Sequence, residues 1–297
     1  MPLVEQINKL KKEKNAVILV HNYQRPEIYE VADKLGDSLD LARAAVASDA
    51  KTIVFCGVDF MAESAKILNP EKKVLIPTLT AKCPLAAMAN ASALREKKKE
   101  HPNAAVVSYI NTSAEVKAEC TVCCTSANAV DVVESLPHEE IIFVPDTHLA
   151  SWVERQTSKK MVKWDGFCRT HAVISPKSIQ KAIELHSQAK VIAHPECPLE
   201  VLDLADKVCG TQGMITYSQE SPAQEFIIAT EEGMLNRLYR EVPGKQFYTV
   251  AGSCTGMKTT TLEKVLEALE KEQFEITLEE QTRLKAKEAL DRMLEIR

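Results

Sequence analysis

The sequence predicts an α/β protein built from three homologous three-layer α/β/α domains, each with a short parallel sheet, related by pseudo-threefold symmetry around a central site. Two observations predict this fold. Nine short apolar runs, separated by helix-like stretches, form three sets of three that recur at nearly the same step along the 297-residue chain. The runs are unbroken rather than alternating, which is typical of buried parallel strands joined by crossover helices.

The first two strands of each unit are short runs rich in valine and isoleucine. Their order implies the pattern β-α-β-α-β, three times over. First strands are predicted at residues 17–21, 106–109 and 191–194, and second strands at residues 52–56, 141–144 and 226–229.

The third strand of each unit follows a lysine and leads to a cysteine. Cys83 and Cys168 are 85 residues apart, and Cys168 and Cys254 are 86 apart, which indicates three equivalent positions. Three equivalent strand ends would then each present one thiol. These runs occupy residues 73–83, 160–168 and 245–254.

The three units are predicted to pack on one another, because a domain of about 85 residues buries only roughly 60% of the surface that its unfolded chain exposes. With 45% apolar residues, the whole chain can bury a substantial core. The predicted units span residues 1–83, 84–168 and 169–271, with a C-terminal helix in 272–297 packing on the first unit.

Helix signals lie between the strands. Residues 4–14 form an amphipathic helix that leads into the first strand. Asp37 or Ser38 begins the next helix, and Ser126 is a predicted N-cap in the second unit. Each of these helix starts leaves free N–H groups that can hold an anion.

Cys83 is followed by Pro84, which favours the first turn of a helix. A helix that starts there would lower the pKa of the Cys83 thiol and favour the thiolate that a metal needs. The chain ends with two helices, predicted near residues 260–271 and 278–296.

The composition excludes several classes of protein. A net charge of −5 and 5% aromatic residues argue against binding to nucleic acid. No run approaches the roughly 20 apolar residues of a membrane span, and the N-terminus resembles no signal peptide. Nine cysteines in such a chain indicate a reducing cytoplasm and metal-binding or catalytic thiols rather than disulfides.

Polar side chains follow the first strand of each unit, where open α/β sheets bind ligands. The first strand ends at His21, the second unit has Tyr109 at the equivalent place, and the third has His194. A glycine-rich turn at Gly210 and Thr211 can bring N–H groups to a phosphate or carboxylate. The sequence therefore predicts a site for an anionic small molecule.

Three thiolates meeting at the centre suit either of two metal centres. One is a 4Fe-4S cluster in which one iron lacks a protein ligand, and the other is a zinc ion with one open position. Either is a Lewis acid, and it points to loss of water from a polyanionic small molecule. Cys120, Cys123 and Cys124 could form half of a zinc knuckle, but no second C-x-x-C motif completes it.

Six motifs, in this order and over nearly the whole chain, resemble those of the quinolinate synthase family. They are His21-Asn-Tyr-Gln, Gly36-Asp-Ser, Val58-Asp-Phe-Met-Ala-Glu, Thr125-Ser-Ala-Asn, His194-Pro-Glu-Cys and Cys254-x-x-Met-Lys. The resemblance implies three α/β domains and a 4Fe-4S cluster held by one cysteine from each. It also implies condensation of iminoaspartate with dihydroxyacetone phosphate to quinolinate, releasing phosphate and two waters, in de novo NAD biosynthesis.

The resemblance also implies roles for individual residues. Carboxylate, phosphate or carbonyl groups of the substrates would be bound by His21, Ser38, Tyr109, Ser126, His194 and Thr211. Intermediates would be positioned and protons moved by Tyr23, Asn111, His171 and Glu196. The cluster ligands would be Cys83, Cys168 and Cys254, and the enzyme that supplies iminoaspartate would be a functional partner.

The chain departs from the family pattern at three places. Gly210 stands where many members have a serine, and Cys254 lacks the C-x-x-C partner that some bacterial members carry. The group of Cys120, Cys123 and Cys124 is outside the pattern. Two rival functions remain at this stage: a zinc-dependent hydrolase that uses the same three thiols, and an iron–sulfur sensor, which would need a partner-binding face.

Overall fold

The computed structural model describes residues 1–250 and 252–296, and these residues form three four-stranded parallel sheets. The sheets share one strand order, in which the first strand of each unit lies inside and a short strand flanks it: β2-β1-β3-β4, β6-β5-β7-β8 and β10-β9-β11-β12. The strands are β1 (Ala16–His21), β2 (Lys34–Gly36), β3 (Thr52–Cys56), β4 (Lys73–Leu75), β5 (Ala105–Tyr109), β6 (Val122–Cys124), β7 (Glu140–Val144), β8 (Lys160–Lys163), β9 (Lys190–Ala193), β10 (Lys207–Val208), β11 (Glu225–Ala229) and β12 (Gln246–Thr249).

The predicted fold class is confirmed, but the prediction of nine strands is wrong. Each sheet has a fourth strand at its edge, namely β2, β6 or β10. These strands have only two or three residues, so they leave no apolar run in the sequence. They matter because the chain leaves each of them toward the centre of the molecule.

Helices connect successive strands and cover the sheets. In chain order they are α1 (Leu3–Glu13), α2 (Ser38–Ala47), α3 (Asp59–Leu68), α4 (Ala91–Glu100), α5 (Ala114–Lys117), α6 (Ala129–Ser135), α7 (Thr147–Glu154), α8 (Arg169–Ala172), α9 (Pro176–Leu185), α10 (Leu199–Leu202), α11 (Thr211–Glu220), α12 (Met234–Glu241), α13 (Leu262–Lys271) and α14 (Glu280–Glu295). None of the helices in the described part of the chain is long and apolar enough to cross a membrane.

The three cysteines lie in loops rather than at strand ends, which corrects the prediction. Cys83 is eight positions beyond the end of β4, and Cys168 and Cys254 are each five positions beyond β8 and β12. No α-helix begins at Pro84 either; the next element is a 3₁₀ turn at Ala86–Met88. The positions of the thiols are therefore set by the loops, and the last strand of each sheet only fixes where its loop begins.

The core joins the three units. One large cluster of buried side chains includes residues of all three sheets, such as Phe55, Phe143 and Phe226. Smaller clusters cover the other face of each sheet. A shared core of this kind agrees with units that are too small to be stable alone. The boundaries at residues 83 and 168 stay predictions.

The last two helices return to earlier parts of the chain. Helix α13 packs against α1 and β3 of the first sheet, where its Val265 and Leu269 are fully buried. Helix α14 contacts α3 and also α5 and β6 of the second unit, with Ala289 and Leu290 buried. The two C-terminal helices therefore pack against the units that contain the first and second sheets.

Candidate active site

Every predicted site residue lines one cavity at the centre of the molecule. Residues of all three units contribute to its lining, which mixes apolar side chains with a few polar groups, as is usual for small-molecule sites. The predicted residues found there are His21, Tyr23, Ser38, Cys83, Tyr109, Asn111, Ser126, Cys168, His171, His194, Glu196, Thr211 and Cys254.

Twelve of these residues form four sets of three, one member from each unit. The first set ends or directly follows the first strand, and the second set lies two residues later. The third set follows the short edge strand, and the fourth set lies in the loop after the last strand. The sets are His21, Tyr109 and His194; Tyr23, Asn111 and Glu196; Ser38, Ser126 and Thr211; and Cys83, Cys168 and Cys254. His171, three residues after Cys168, is the one addition to this pattern among the predicted residues.

The hydroxyl groups lie near helix N-termini. Asp37 is the N-cap of α2 and accepts hydrogen bonds from the backbone N–H groups of Leu39 and Asp40, each at 2.9 Å, so Ser38 occupies the first turn. Thr211 is the first residue of α11. Both positions combine a hydroxyl with a partial positive charge, which suits an anion.

Ser126 does not cap a helix, so that prediction is wrong. Helix α6 begins at Ala129 with Asn128 in the N-cap position, and the Asn128 side chain accepts instead from Thr125 N, at 2.8 Å. The Ser126 Oγ atom lies 3.1 Å from His194 Nε2. Its neighbour is therefore a side chain of the third unit, and this contact joins two units across the cavity.

The imidazoles of His21 and His194 are held in the neutral form. Burial lowers the pKa of each to about 3, helped by the charge of Lys258 for His21 and by His21 for His194. His21 Nδ1 accepts from Tyr23 N at 3.1 Å, and His194 Nδ1 accepts from Glu196 N at 3.3 Å. The proton of each ring therefore resides on Nε2, where it can be donated to a ligand oxygen.

A buried network surrounds Glu196. Its Oε2 atom lies 3.2 Å from Nδ1 of His171 and 3.2 Å from Nδ1 of His194, while its Oε1 atom is buried and has no hydrogen-bond partner among the described residues. His171 Nε2 lies 2.7 Å from Thr230 Oγ1, which also lies 2.7 Å from the hydroxyl of Tyr23. A buried carboxylate oxygen without a partner indicates that something else completes this site.

Burial shifts the pKa values of Glu196 and His171 in the directions that favour their uncharged forms. It raises the pKa of Glu196 well above its usual value, with a further contribution from Asp146. It lowers the pKa of His171 well below its usual value, with a further contribution from His194. Burial therefore favours a protonated carboxyl at Glu196 and a neutral imidazole at His171, so that one group can donate a proton and the other can accept one.

The three thiols line the same cavity, and the charge of one shifts the pKa of another. Burial, with a smaller contribution from the nearby Cys254, raises the pKa of Cys83 to about 12. Burial also raises the pKa of Cys168, to which Glu196 and Cys83 add. The expectation that a helix would lower the pKa of Cys83 is therefore wrong, because burial outweighs the N–H groups beyond it.

The donor set fits a soft metal centre. Three thiols line one water-restricted cavity, and a bound cation would offset the burial that keeps them protonated. Ligand atoms of Cys168, His171 and Glu196 lie within 4.8 Å of one another; this is the one such group in the described part of the chain, and Cys83 and Cys254 do not belong to it.

Cys120, Cys123 and Cys124 lie outside the cavity. Their thiols are unpaired and buried or half-buried, and the Cys120 thiol donates to the carbonyl oxygen of Val116 at 3.0 Å. They do not belong to the metal-binding group just described. The suggestion of half a zinc knuckle therefore finds no support in the structure.

Sequence reasoning missed two buried charged residues, one that lines the cavity and one that supports a segment of its lining. Glu231 is fully buried and lines the cavity, and its position after β11 matches that of Asp146 after β7, so the repeat could have revealed it. Lys117 is also fully buried; its Nζ donates to the carbonyl oxygen of Ile110 at 2.8 Å and to that of Thr112. Lys117 thus holds the segment that carries Tyr109 and Asn111, and no motif signals it.

Comparison with known proteins gives full-length matches. The family model described as quinolinate synthetase A protein matches residues 5–295. A quinolinate synthase of Methanosarcina barkeri is 52% identical over 297 residues, which is 99% of this chain and 98% of that protein. Quinolinate synthases of Geobacter sp. and Thermodesulfovibrio yellowstonii are 50% and 49% identical, over 99% and 98% of this chain and 97% of each of those proteins.

Proposed function

The chain belongs to the quinolinate synthetase A family, and from this membership we infer that it is an enzyme, a quinolinate synthase. The observation that carries this conclusion is identity near 50% over almost the whole length of the chain and of its relatives. The comparisons give no support to the alternative of a zinc-dependent hydrolase. The reaction that follows is condensation of iminoaspartate with dihydroxyacetone phosphate to quinolinate, a step in NAD biosynthesis.

We propose that Cys83, Cys168 and Cys254 hold a 4Fe-4S cluster with one iron free of protein ligands. The proposal is supported by three thiols in one cavity and by the unpartnered Oε1 of Glu196 beside them. When bound, the cluster supplies a Lewis-acidic iron that polarises a substrate hydroxyl or carboxylate for loss of water. The type of metal centre is part of the proposal.

The substrates are anions, and the cavity is suited to bind them without a basic patch. None of the described residues that line it is a lysine or arginine. Ser38 and Thr211 offer hydroxyls at helix N-termini, and the neutral rings of His21 and His194 offer Nε2–H donors. We propose that these groups, with Tyr109 and Ser126, bind the carboxylate, phosphate and carbonyl groups of the two substrates.

Proton transfer is assigned to the network around Glu196. Glu196 lies between His171 and His194, and Tyr23 is linked to His171 through Thr230. We propose that Glu196 and His171 exchange protons with the intermediates, while Tyr23 and Asn111 position them. Glu196 Oε1 is buried without a hydrogen-bond partner among the described residues, so we propose that it is the oxygen that exchanges a proton with the substrate.

We also propose a cytoplasmic location and a functional link to the enzyme that makes iminoaspartate. Iminoaspartate hydrolyses readily because it is an imine, so a nearby source would favour its use. The nine cysteines, all unpaired in the structure, are in keeping with a reducing compartment.

Anaerobic purification tests the function and the cofactor together. The protein should be brown, should contain about four irons per chain, as a 4Fe-4S centre requires, and should form quinolinate from iminoaspartate and dihydroxyacetone phosphate. A colourless, zinc-containing protein that is active in air would overturn the cofactor proposal. A loaded protein that makes no quinolinate would overturn the activity.

A further inference from the structure

Each of the three cysteines donates its backbone N–H group to a carboxylate that follows the third strand of its own sheet in chain order. Cys168 N lies 3.1 Å from Asp146 Oδ2, and Cys254 N lies 2.9 Å from Glu231 Oε1. Cys83 N lies 3.3 Å from Asp59 Oδ1. The same contact is therefore made three times by three different segments, although the acid is glutamate in one case and aspartate in two.

A second hydrogen bond accompanies each of these contacts. The carbonyl oxygen two residues before the cysteine accepts from a backbone N–H at or next to the acid: Thr147 N to Gly166 O at 2.7 Å, Glu232 N to Gly252 O at 3.3 Å, and Asp59 N to Ala81 O at 2.9 Å. We call each pair of hydrogen bonds an amide clamp. Two hydrogen bonds at neighbouring positions fix both the place and the direction of the loop.

Asp146 and Glu231 are themselves rigidly held. Asp146 Oδ1 accepts from Leu149 N at 2.8 Å, and Glu231 Oε2 accepts from Gly233 N at 2.7 Å. Glu231 also lies 3.0 Å from Nζ of Lys258, and both acids are fully buried. A buried carboxylate that accepts charge-assisted hydrogen bonds on both oxygens has little freedom to move. It therefore holds the backbone N–H group of the cysteine in one position.

We propose that Asp146 and Glu231 are positioning residues that fix the Cys168 and Cys254 loops so that their thiols converge, while Asp59 makes the same contact with Cys83 from a more exposed position and contributes less. The proposal rests on the proposed cluster for its purpose but on these six hydrogen bonds for its geometry. Such support for metal ligands is general, since groups that orient ligands contribute strongly to metal affinity.

Glycine positions give independent evidence that one loop is closely packed. A Cβ atom added at Gly166 would lie 2.3 Å from the carbonyl oxygen of Pro145, the residue before Asp146. A Cβ atom added at Gly252 would have nothing within 4 Å. Gly166→Ala should therefore break the Cys168 clamp from the loop side without altering Asp146, and Gly252→Ala is its matched control.

The test uses alkylation of the metal-free protein, with each cysteine followed by peptide mass mapping. Asp146→Asn should speed modification of Cys168 by about tenfold and leave Cys254 unchanged, since loss of a charged hydrogen bond raises local opening by about that factor. Glu231→Gln should speed the alkylation of Cys254 and leave the alkylation rate of Cys168 unchanged. Gly166→Ala should reproduce the effect of Asp146→Asn, and it keeps the test valid if that variant does not fold.

The control for the acid substitutions is Glu279→Gln, because Glu279 also accepts two backbone N–H groups, from Gln281 and Thr282, but is exposed and does not line the cavity. It should change neither rate. Equal acceleration of both cysteines in each variant, or of neither, would overturn the clamp.

Iron binding gives the second measurement. After anaerobic reconstitution, Asp146→Asn and Glu231→Gln should lose iron at least about tenfold faster than the unaltered protein, with a changed electron paramagnetic resonance spectrum of the reduced centre. Unchanged iron loss and spectrum would overturn the proposed role toward the metal. If the unaltered protein takes up no iron, the cofactor proposal fails, and the clamp is still judged by alkylation.

Discussion

The loop that carries the first cysteine is held differently from the loops that carry the other two. Cys168 and Cys254 donate to fully buried acids, whereas Cys83 donates to Asp59, whose side chain is 26% exposed. Asp59 also lies one position later in its unit, and Val58 stands where the other units have Asp146 and Glu231. The side chains that face the cavity thus repeat more closely than the groups that support them.

Part of the support for the first loop comes from the C-terminal region. Ile76 N donates to the carbonyl oxygen of Phe274 at 3.2 Å, and Ile276 N donates to that of Val74 at 2.8 Å. The chain between β4 and Cys83 is therefore anchored from outside its own unit. The comparison shows that one copy of a repeated loop can have weaker contacts within its own unit when a neighbouring segment, here the C-terminal region, stabilises it.

The largest expected effect comes from replacing a proposed cluster ligand, and the size of the effect should be the same for all three loops. Cys168→Ala should abolish both the cluster and activity, and Cys83→Ala should do the same, because two thiolates cannot replace three. Iron content and quinolinate formation measure this. Cys209→Ala is the control, since Cys209 is unpaired and does not line the cavity. An active Cys168→Ala protein would refute the ligand assignment.

The second-largest effect should distinguish the roles of Glu196 and Glu231, two buried carboxylates that line the same cavity. Glu196→Gln should keep the cluster but lower kcat by about 10² to 10⁴, because the amide cannot accept a proton. Glu231→Gln, by contrast, should lose iron readily. Iron analysis and steady-state rates on the same samples measure both. Loss of iron from Glu196→Gln would assign Glu196 to the support of the metal rather than to proton transfer.

A smaller effect tests the difference between the loops directly. Asp59→Asn should retain iron to within about twofold of the unaltered protein, because water can replace a partly exposed hydrogen bond at little cost in free energy. Its partner Lys82 is 65% exposed, so the ion pair adds little. If Asp59→Asn loses iron as fast as Asp146→Asn, burial does not distinguish the loops.

The smallest effect lies at the surface, where Glu272 pairs with Lys14 and Lys73. Hydrogen bonds from these lysines lower the pKa of Glu272 to about 2. The stabilisation is therefore present above the usual pKa of about 4.5 and is lost as the pH falls toward 2. Glu272→Gln should lower the free energy of unfolding by less than about 1 kcal/mol at neutral pH.

Thermal unfolding at pH 7 and at pH 3, with and without added salt, measures this last effect. The difference between Glu272→Gln and the unaltered protein should shrink at pH 3 and in salt, because the pair is solvent-accessible and screened. A difference that persists in both conditions would mean that Glu272 acts through its backbone position rather than its charge.

Much of the fold and the site was predictable because the sequence repeats. Runs of β-branched residues gave nine of the strands, and polar residues at equivalent steps, such as Tyr23 and Glu196, gave the lining of the cavity. The edge strands were missed because two or three residues carry no pattern. In the last helix Leu284 is 49% exposed although Ala289 and Leu290 are buried, which shows the limit of periodicity near a helix end.

The supporting groups were less predictable for a physical reason. The role of Asp146 depends on a loop that returns 22 residues later to Cys168, and the sequence does not show how that loop folds. The pKa of Cys83 depends on burial by the other units, which outweighs the local helix signal. Local patterns predict local structure, whereas these features arise only when the three units are assembled.

The position of α13 has a consequence for how the protein is made. On a ribosome the first sheet emerges early, yet the face that Val265 and Leu269 cover, beside Ile18 and Val54, has to wait for almost the entire polypeptide to be synthesised. Nascent chains would expose that apolar face meanwhile, which invites chaperone binding and penalises premature termination. The unit that is translated first is thus the last to be completed.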